Sequence, residues 1–175
     1  TYIKEYGYND LFIIEAVNGH VLYSGRKNED YGENLKTGKL KNSALSKIYN
    51  QVLKNKKTTY LDMQPYEVIN DAPALFLGSP VIDGMGEISA VLVFQISDKS
   101  FNEIMQFRKG AGLTEEAYLV GQDFLMRSDS YIDKVNRTVT SSFKNKEKGR
   151  IKTIASKEAL KGKTDIKIIK NYKNT

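Results

Sequence analysis

The chain has no cysteine, no tryptophan and a single histidine, His20. Without cysteine there is no disulfide framework, no thiol nucleophile and no zinc–thiolate centre. Ser–His–Asp chemistry would have to run through His20, which sits beside a predicted turn and reads as exposed structure. A zinc site would lack both Cys and a second His. No glycine-rich run ends in Gly-Lys-Ser/Thr, so there is no P-loop. No apolar run approaches the roughly 18 residues that a membrane span needs. No signal peptide is visible and the first residue is not Met, so the chain reads as a segment of a longer protein. The acidic stretch "NEDYGEN" holds Glu29, Asp30 and Glu33, but without EF-hand spacing, and reads as a solvated loop. Asp62 could serve as one of two glycosidase carboxylates, yet no partner is identifiable. No catalytic residue, metal site or cofactor is expected.

What is present suits one domain, or one domain and part of another: 175 residues, 40% hydrophobic and 10% aromatic. The charge is uneven. Up to Asp133 there are 14 Lys and Arg against 18 Asp and Glu; beyond it there are 13 against 3. A basic tail can meet nucleic acid or an anionic membrane. This one holds 11 Lys and 2 Arg, with Phe143 and Tyr172 as its only aromatics. Nucleic-acid sites interleave arginine and stacking rings more densely, so a solvated lysine surface is expected and no nucleic-acid partner.

Two stretches share one pattern. "DLFIIEAVNGHVLYSG" reads as strand, Asn-Gly turn and strand, with Asn18 and Gly19 both suited to positive φ. "AYLVGQDFLMRSDSY", Ala117 to Tyr131, reads the same way and suggests that a module restarts. Ahead of the first, "TYIKEY" reads as a helix end stopped by Gly7; after it, residues 25–43 read as a long polar loop. "SALSKIYNQVLKNKK" reads as a helix capped by Ser43, with Leu45, Ile48, Val52 and Leu53 on one face. "TTYLDMQPYEV" is β-rich, and Pro65 is expected to end its pairing. "APALFLGSPVID" and "ISAVLVFQIS" are strands, the second apolar enough to be covered on both faces. "DKSFNEIMQFRKG" is a helix capped by Asp98 or Ser100, with Phe101, Ile104, Met105 and Phe107 on its apolar face and its end at Gly110. Five strands joined by tight turns and one helical crossover predict an α+β fold with one antiparallel sheet flanked by helices. Farther on, "KVNRTVTSSF" and "DIKIIKNY" are read as strands and "SKEAL" as a short helix.

The order of "YGYNDLFIIEAVNGHVLYS", "KNEDYGENLKTG", "YLDMQPYEVINDAPALFLGSPVID" and "EISAVLVFQIS" resembles the extracytoplasmic Cache (PAS-like) sensor domain of bacterial methyl-accepting chemotaxis receptors. "GLTEEAYLVGQDFLMRSDSY" resembles the segment that opens a second Cache unit there. The family commonly reads "GETGETYLVG" and "LMRSDSR", so this chain departs at Thr114-Glu115-Glu116 and at Tyr131. The resemblance runs from about Tyr6 to Tyr131. It implies a PAS-like Cache domain over residues 1–109, and over 110–175 the start of an incomplete second PAS-like unit or an extension. It implies a non-enzymatic, periplasmic segment of a plasma-membrane-anchored receptor, a weak homodimer, that binds a small molecule and passes a conformational signal across the membrane. The same module also serves membrane histidine kinases and nucleotide cyclases; an enzyme on a PAS-like scaffold is the reading from another class.

Candidate ligand residues follow from alternation and placement. On "TTYLDMQ", Tyr60 and Asp62 share one face, and Thr59, Leu61 and Met63 the other. A lone buried carboxylate is costly, so the Tyr60/Asp62 face should be solvent or a polar pocket. On "PALFLGSP", Ala74, Phe76 and Gly78 share a face, where small residues beside a ring leave a concavity. Tyr66 is expected in a loop that could close over a ligand. Tyr23, Arg26 and Lys27 stand where the second strand enters the long loop. Arg26 or Lys27 would pair with an organic acid, and Asp62 with an amine. The amino-acid-binding Cache domains use a spaced Tyr, Arg, Trp, Tyr, Asp pattern, which a chain without tryptophan cannot reproduce. "RSDS", Arg127 to Ser130, reads as a structural network, with Arg127 held by Asp129 or by backbone carbonyls.

Overall fold

A computed structural model describes residues 2–107, 112, 115–169 and 172. The chain divides into two compact units, Thr1–Ser100 and Phe101–Thr175. The boundary expected between residues 109 and 110, with the helix end at Gly110, falls outside the described residues.

The first unit begins with a one-turn helix, α1 (Tyr2–Tyr6), which Gly7 ends at φ +72°. Five strands follow: β1 (Tyr8–Glu15), β2 (Val21–Ser24), β3 (Thr59–Tyr66), β4 (Ala72–Ile82) and β5 (Ile88–Ile96). They form one antiparallel sheet in the order β2-β1-β5-β4-β3, as the resemblance implies. Helix α2 (Ala44–Asn55) packs on one face of it. Ser43 caps α2 by accepting from the Ser46 amide at 3.1 Å, and Lys56 ends it in the left-handed region at φ +52°. Leu45, Ile48 and Val52 are buried against Phe12, Ile14, Val21, Phe76, Val91 and Val93, and Leu53 packs at the margin. Each such side chain contributes roughly 1.5–3 kcal/mol by leaving water.

Four expectations need correction. The first hairpin has a longer loop than an Asn-Gly turn, because Ile14 pairs with Val21. Only Gly19 takes positive φ, while the Glu15 carboxylate accepts from the Val17 and Asn18 amides. Pro65 does not end pairing: Pro65 stands opposite Pro73 and Tyr66 opposite Ala72. It is tolerated because β3 is an edge strand, where a missing N–H costs no ladder bond. Strand β5 is central but buried on one face; Leu92, Phe94 and Ile96 on the other are half-buried. Helix α3 (Asp98–Met105) leaves Ile104 72% exposed, and Phe107 beyond it 74%, while Phe101 and Met105 are half-buried, so half of the predicted apolar face is uncovered.

The second unit contains no strand among its described residues. Val120 and Met126 form a single bridge, with Arg127 N donating to Leu119 O at 2.8 Å, so the expected second hairpin is only a turn. "KVNRTVTSSF" is not a strand: Thr138 caps α4 (Val139–Lys144), and its Oγ1 accepts from the Ser141 amide at 3.0 Å. The β-branched residues Val135, Thr138, Val139 and Thr140 suggested a strand, but a hydroxyl at the cap decided for helix. Helices α5 (Lys146–Gly149) and α6 (Ile154–Ala159) follow, the latter matching the "SKEAL" expectation. No strand forms over 165–169, where Ile166 and Ile168 are fully exposed. Arg127 is buried; it donates to Leu125 O at 3.1 Å, pairs with Asp123 at 3.0 Å and lies over the Phe143 ring. Asp129 caps α4 at the Val139 amide.

Candidate ligand-binding site

Alternation along β1 places Asp10, Phe12 and Ile14 on the face that α2 covers; all three are buried. Along β5 the matching set is Val91, Val93 and Gln95. Cross-strand register sets Ile14 beside Val91, Phe12 beside Val93 and Asp10 beside Gln95, with Phe76 next in the same row. The core face is thus apolar at one end and polar at the other.

The polar end is closed by the long segment between β2 and α2. Ser24, at the end of β2, donates its hydroxyl to Asp10 Oδ2 at 3.2 Å and accepts from the Lys27 amide at 3.1 Å. Asp10 Oδ1 accepts from the Leu11 amide at 2.7 Å and the Arg26 amide at 3.1 Å. A Cβ on Gly25 would lie 2.0 Å from Ile3 Cδ1 and 2.9 Å from Asp10 Oδ1, so a larger residue here would have to push both side chains aside. The segment then carries Asp30 to the far edge strand, where Tyr66 donates to Asp30 Oδ2 at 2.9 Å. The Tyr66 ring meets Phe76 edge-on at 5.3 Å. Asp30 is only 1% exposed and is the exception in a loop whose Asn28, Glu29, Tyr31 and Gly32 are exposed as expected.

The electrostatics of this cluster are unbalanced. Asp10 and Asp30 are both buried, and neither is in an ion pair among the described residues. Burial pushes the Asp30 carboxyl above the usual carboxylate range, and the Asp10 charge adds to it. Burial also raises Asp10, against the pull of its amide donors. The Tyr66 hydroxyl, buried and facing Asp30, is raised so far that it acts only as a phenol donor. Two polar atoms have no partner among the described residues: Asp30 Oδ1 and Gln95 Nε2. A buried polar atom left unpaired costs free energy, so each asks what would meet it.

Of the seven residues singled out in the sequence, Tyr66 and Phe76 meet in this cluster, and Arg26 and Lys27 touch it through their amides. Tyr66 is the last residue of β3, fully buried, and not in a loop. Phe76 is core, and the expected concavity beside Gly78 is filled: a Cβ there would come within 2.7 Å of Val52 and 3.0 Å of Ile48. Tyr23 on β2 is 43% exposed and Tyr60 on β3 is 69% exposed, on opposite edges of the sheet. Asp62 is half-buried and accepts from the Met63 amide at 2.7 Å. A bulge between Leu61 and Gln64 explains the misplacement. It shifts the phase of β3, so Tyr66 joins Leu61 on the core side although strict alternation would group it with Tyr60.

Asp10, Ser24, Asp30 and Gln95 were missed. For Asp10 and Gln95 a signal existed: each is a polar residue in phase with two buried apolar ones. Asp30 comes from an irregular segment, whose burial has no period to betray it.

In sequence the chain matches no protein-family model and no curated protein. In structure it resembles an extracellular ligand binding receptor from Desulfohalobium retbaense, with a TM-score of 0.52 and 10% identity over 79% of this chain and 24% of that one. It also resembles the ligand-binding domain of the Pseudomonas aeruginosa amino acid chemoreceptor PctC, solved with GABA, at a TM-score of 0.52 and 13% identity. That match covers 82% of this chain and 59% of the other. The chain therefore spans about a quarter and about three fifths of these two structures, and its fold is the α+β, PAS-like fold of Cache-type sensor domains.

Proposed function

We propose that this chain is the extracytoplasmic ligand-sensing part of a bacterial transmembrane chemoreceptor, and that it binds a small molecule at the polar end of the core face. The observation that carries this reading is the buried Asp10–Ser24–Asp30–Tyr66–Gln95 cluster with its two orphaned polar atoms. A structural core of this size has no need of two carboxylates without a cation, whereas a ligand would complete them. Tyr66 and Phe76 form the wall of the site and Lys27 stands at its rim. Asp30 rides on the segment that closes the site, so that segment opens to admit the ligand.

No bond is made or broken. A ligand shifts the balance of two conformations by its differential affinity for them. Gly25 is the physical link: it touches Ile3 of α1 on one side and Asp10 on the other. Reordering the segment around a ligand would thereby move α1. We read residues 110–175 as the opening of a second sensor unit or an extension.

A thermal-shift screen against organic acids, amines, purines and sugars tests the reading. A ligand at a hundred times its dissociation constant adds about 2.7 kcal/mol of stability. The expected result is a saturable rise in melting temperature that Tyr66→Ala removes. A hit that Tyr66→Ala leaves untouched would contradict the site, and turnover of any compound would contradict the non-enzymatic reading.

A further inference from the structure

We infer that the second unit carries an anion site of its own, built on Arg137, Lys144 and Lys148, and that it takes a phosphate monoester. The site lies wholly within the second unit and does not depend on the ligand site of the first.

A cavity of about 700 Å³ opens between the turn at 133–137 and helices α4 and α5. Arg137, Lys144 and Lys148 line it, together with Asn136 and Tyr172. None of the three cations is in an ion pair among the described residues. Asp133 is the one carboxylate in the lining, and it accepts from the Asn136 amide at 3.0 Å and from the Asn136 side chain at 3.2 Å.

Solvated lysines alone do not make a site; the setting of Arg137 does. Arg137 is half-buried, its Nη1 donates to Lys148 O at 2.7 Å, and its guanidinium lies over the Tyr172 ring at 5.3 Å. The Tyr172 hydroxyl donates to Glu116 and meets the Ser130 hydroxyl at 2.9 Å. Burial and the bond to Glu116 push that phenol up to about 12, so the ring beneath Arg137 stays neutral. Arg137 is therefore fixed by a carbonyl and a neutral ring, and neither cancels its charge. Arg127, the buried arginine of the same unit, is held by carbonyls too, but it is paired with Asp123 at 3.0 Å. The contrast separates an arginine whose charge is met within the fold from one whose charge is left to the cavity.

The chemistry of the occupant follows. A guanidinium fork takes two oxygens of one anion, and lysines act beside it as point charges. Three cations against one carboxylate leave about two charges to be met, which is what a phosphate monoester carries near pH 7. A phosphodiester or a monocarboxylate brings one charge, and a dicarboxylate divides its two between separate centres. The cavity has room for the body that bears the phosphate. That body is a soluble ester or a lipid whose headgroup ends in phosphate; the recognised group is the same.

The test is isothermal titration of the full chain, at about 0.15 M salt, with inorganic phosphate, glycerol phosphate, dimethyl phosphate and succinate. Sedimentation with phosphatidylcholine vesicles containing phosphatidic acid or phosphatidylglycerol forms the second arm. The expected result is saturable binding of glycerol phosphate or of phosphatidic acid vesicles. It should weaken about tenfold in Arg137→Lys, which keeps the charge and loses the fork, and also in Lys144→Ala. Lys146→Ala, which removes an equal charge from α5 outside the cavity, should leave it unchanged. Should Arg137→Lys fail to fold, Lys144→Ala and Lys148→Ala, at exposed positions, carry the comparison with Lys146→Ala. Glycerol phosphate binding in solution assigns a soluble ester, and binding confined to phosphatidic acid vesicles assigns a lipid headgroup. No binding of either at about 10 mM phosphate overturns the inference. Equal weakening in Lys146→Ala also overturns it, because a diffuse lysine surface would then account for the binding. So does succinate or dimethyl phosphate bound as tightly as glycerol phosphate, or phosphatidylglycerol as tightly as phosphatidic acid.

Discussion

The two units are held by different means. The first is a laddered sheet with a continuous apolar core, from Phe12 and Ile14 through Val91, Val93 and Phe76 to α2. The second has a small core of Leu125, Met126, Val139, Phe143 and Ile151, and much of its order comes from short polar bonds. Thr138, Asn145 and Thr153 cap its helices α4, α5 and α6. Buried Ser142 accepts from the Met126 amide and donates to Val139 O. Glu116 accepts from the Ser130 hydroxyl and from the Tyr131 and Ile132 amides. Serine is a structural residue in the second unit. In the first, the buried polar groups Asp10, Asp30 and Gln95 sit where apolar ones would pack better. Polar burial that is fully satisfied reads as architecture; polar burial left incomplete reads as a site.

Phe76→Ala should disturb the first unit most. Its ring lies between Tyr66 and Phe12, at 5.3 and 6.5 Å. The expected loss is about 3–5 kcal/mol in a denaturant titration, with the second unit's turns unaffected by the missing ring itself. A loss below about 1 kcal/mol would mean that Phe76 is not core.

Gly149→Ala probes the other unit. A Cβ there would lie 2.4–2.8 Å from the Ser142 backbone, which cannot swing aside as a side chain can. Helices α4 and α5 would have to separate, at about 1–3 kcal/mol. Near-native stability would show that they do not pack as described.

Asp30→Asn should have the smallest effect, and its sign depends on pH. The folded carboxyl is raised above its unfolded value, so it favours the folded state fully at low pH. That contribution is lost as pH rises through the folded value. Asp10 and Tyr66, the groups that face it, are the same in both proteins. Without ligand, the melting temperature of Asp30→Asn should therefore gain on the unaltered protein as pH is raised from about 4 to 7. A gap that moves the other way would show that a cation already pairs with Asp30.

Much of the fold was legible because it is periodic. The Ser43 cap, the spacing of Leu45, Ile48 and Val52, the alternation in β4 and the apolar runs of β1 and β5 mark one helix and three strands of the sheet. What failed was aperiodic. The bulge in β3 rotated Tyr66 out of the phase of Tyr60, and a capping hydroxyl turned Thr138–Lys144 from expected strand to helix. At the site, the sequence yielded Tyr66 and Phe76 but not their partner Asp30. A carboxylate in a polar loop looks solvated until the loop is seen to cross a sheet.

The most direct measurement is a map of backbone amide chemical shifts during titration with whichever compound the screen finds. Perturbations should centre on Asp10, Ser24, Asp30, Tyr66 and Gln95 and extend through Gly25 to Ile3. Perturbations confined to the exposed edges at Tyr23 and Tyr60, or to the second unit, would contradict a ligand site at the polar end of the core.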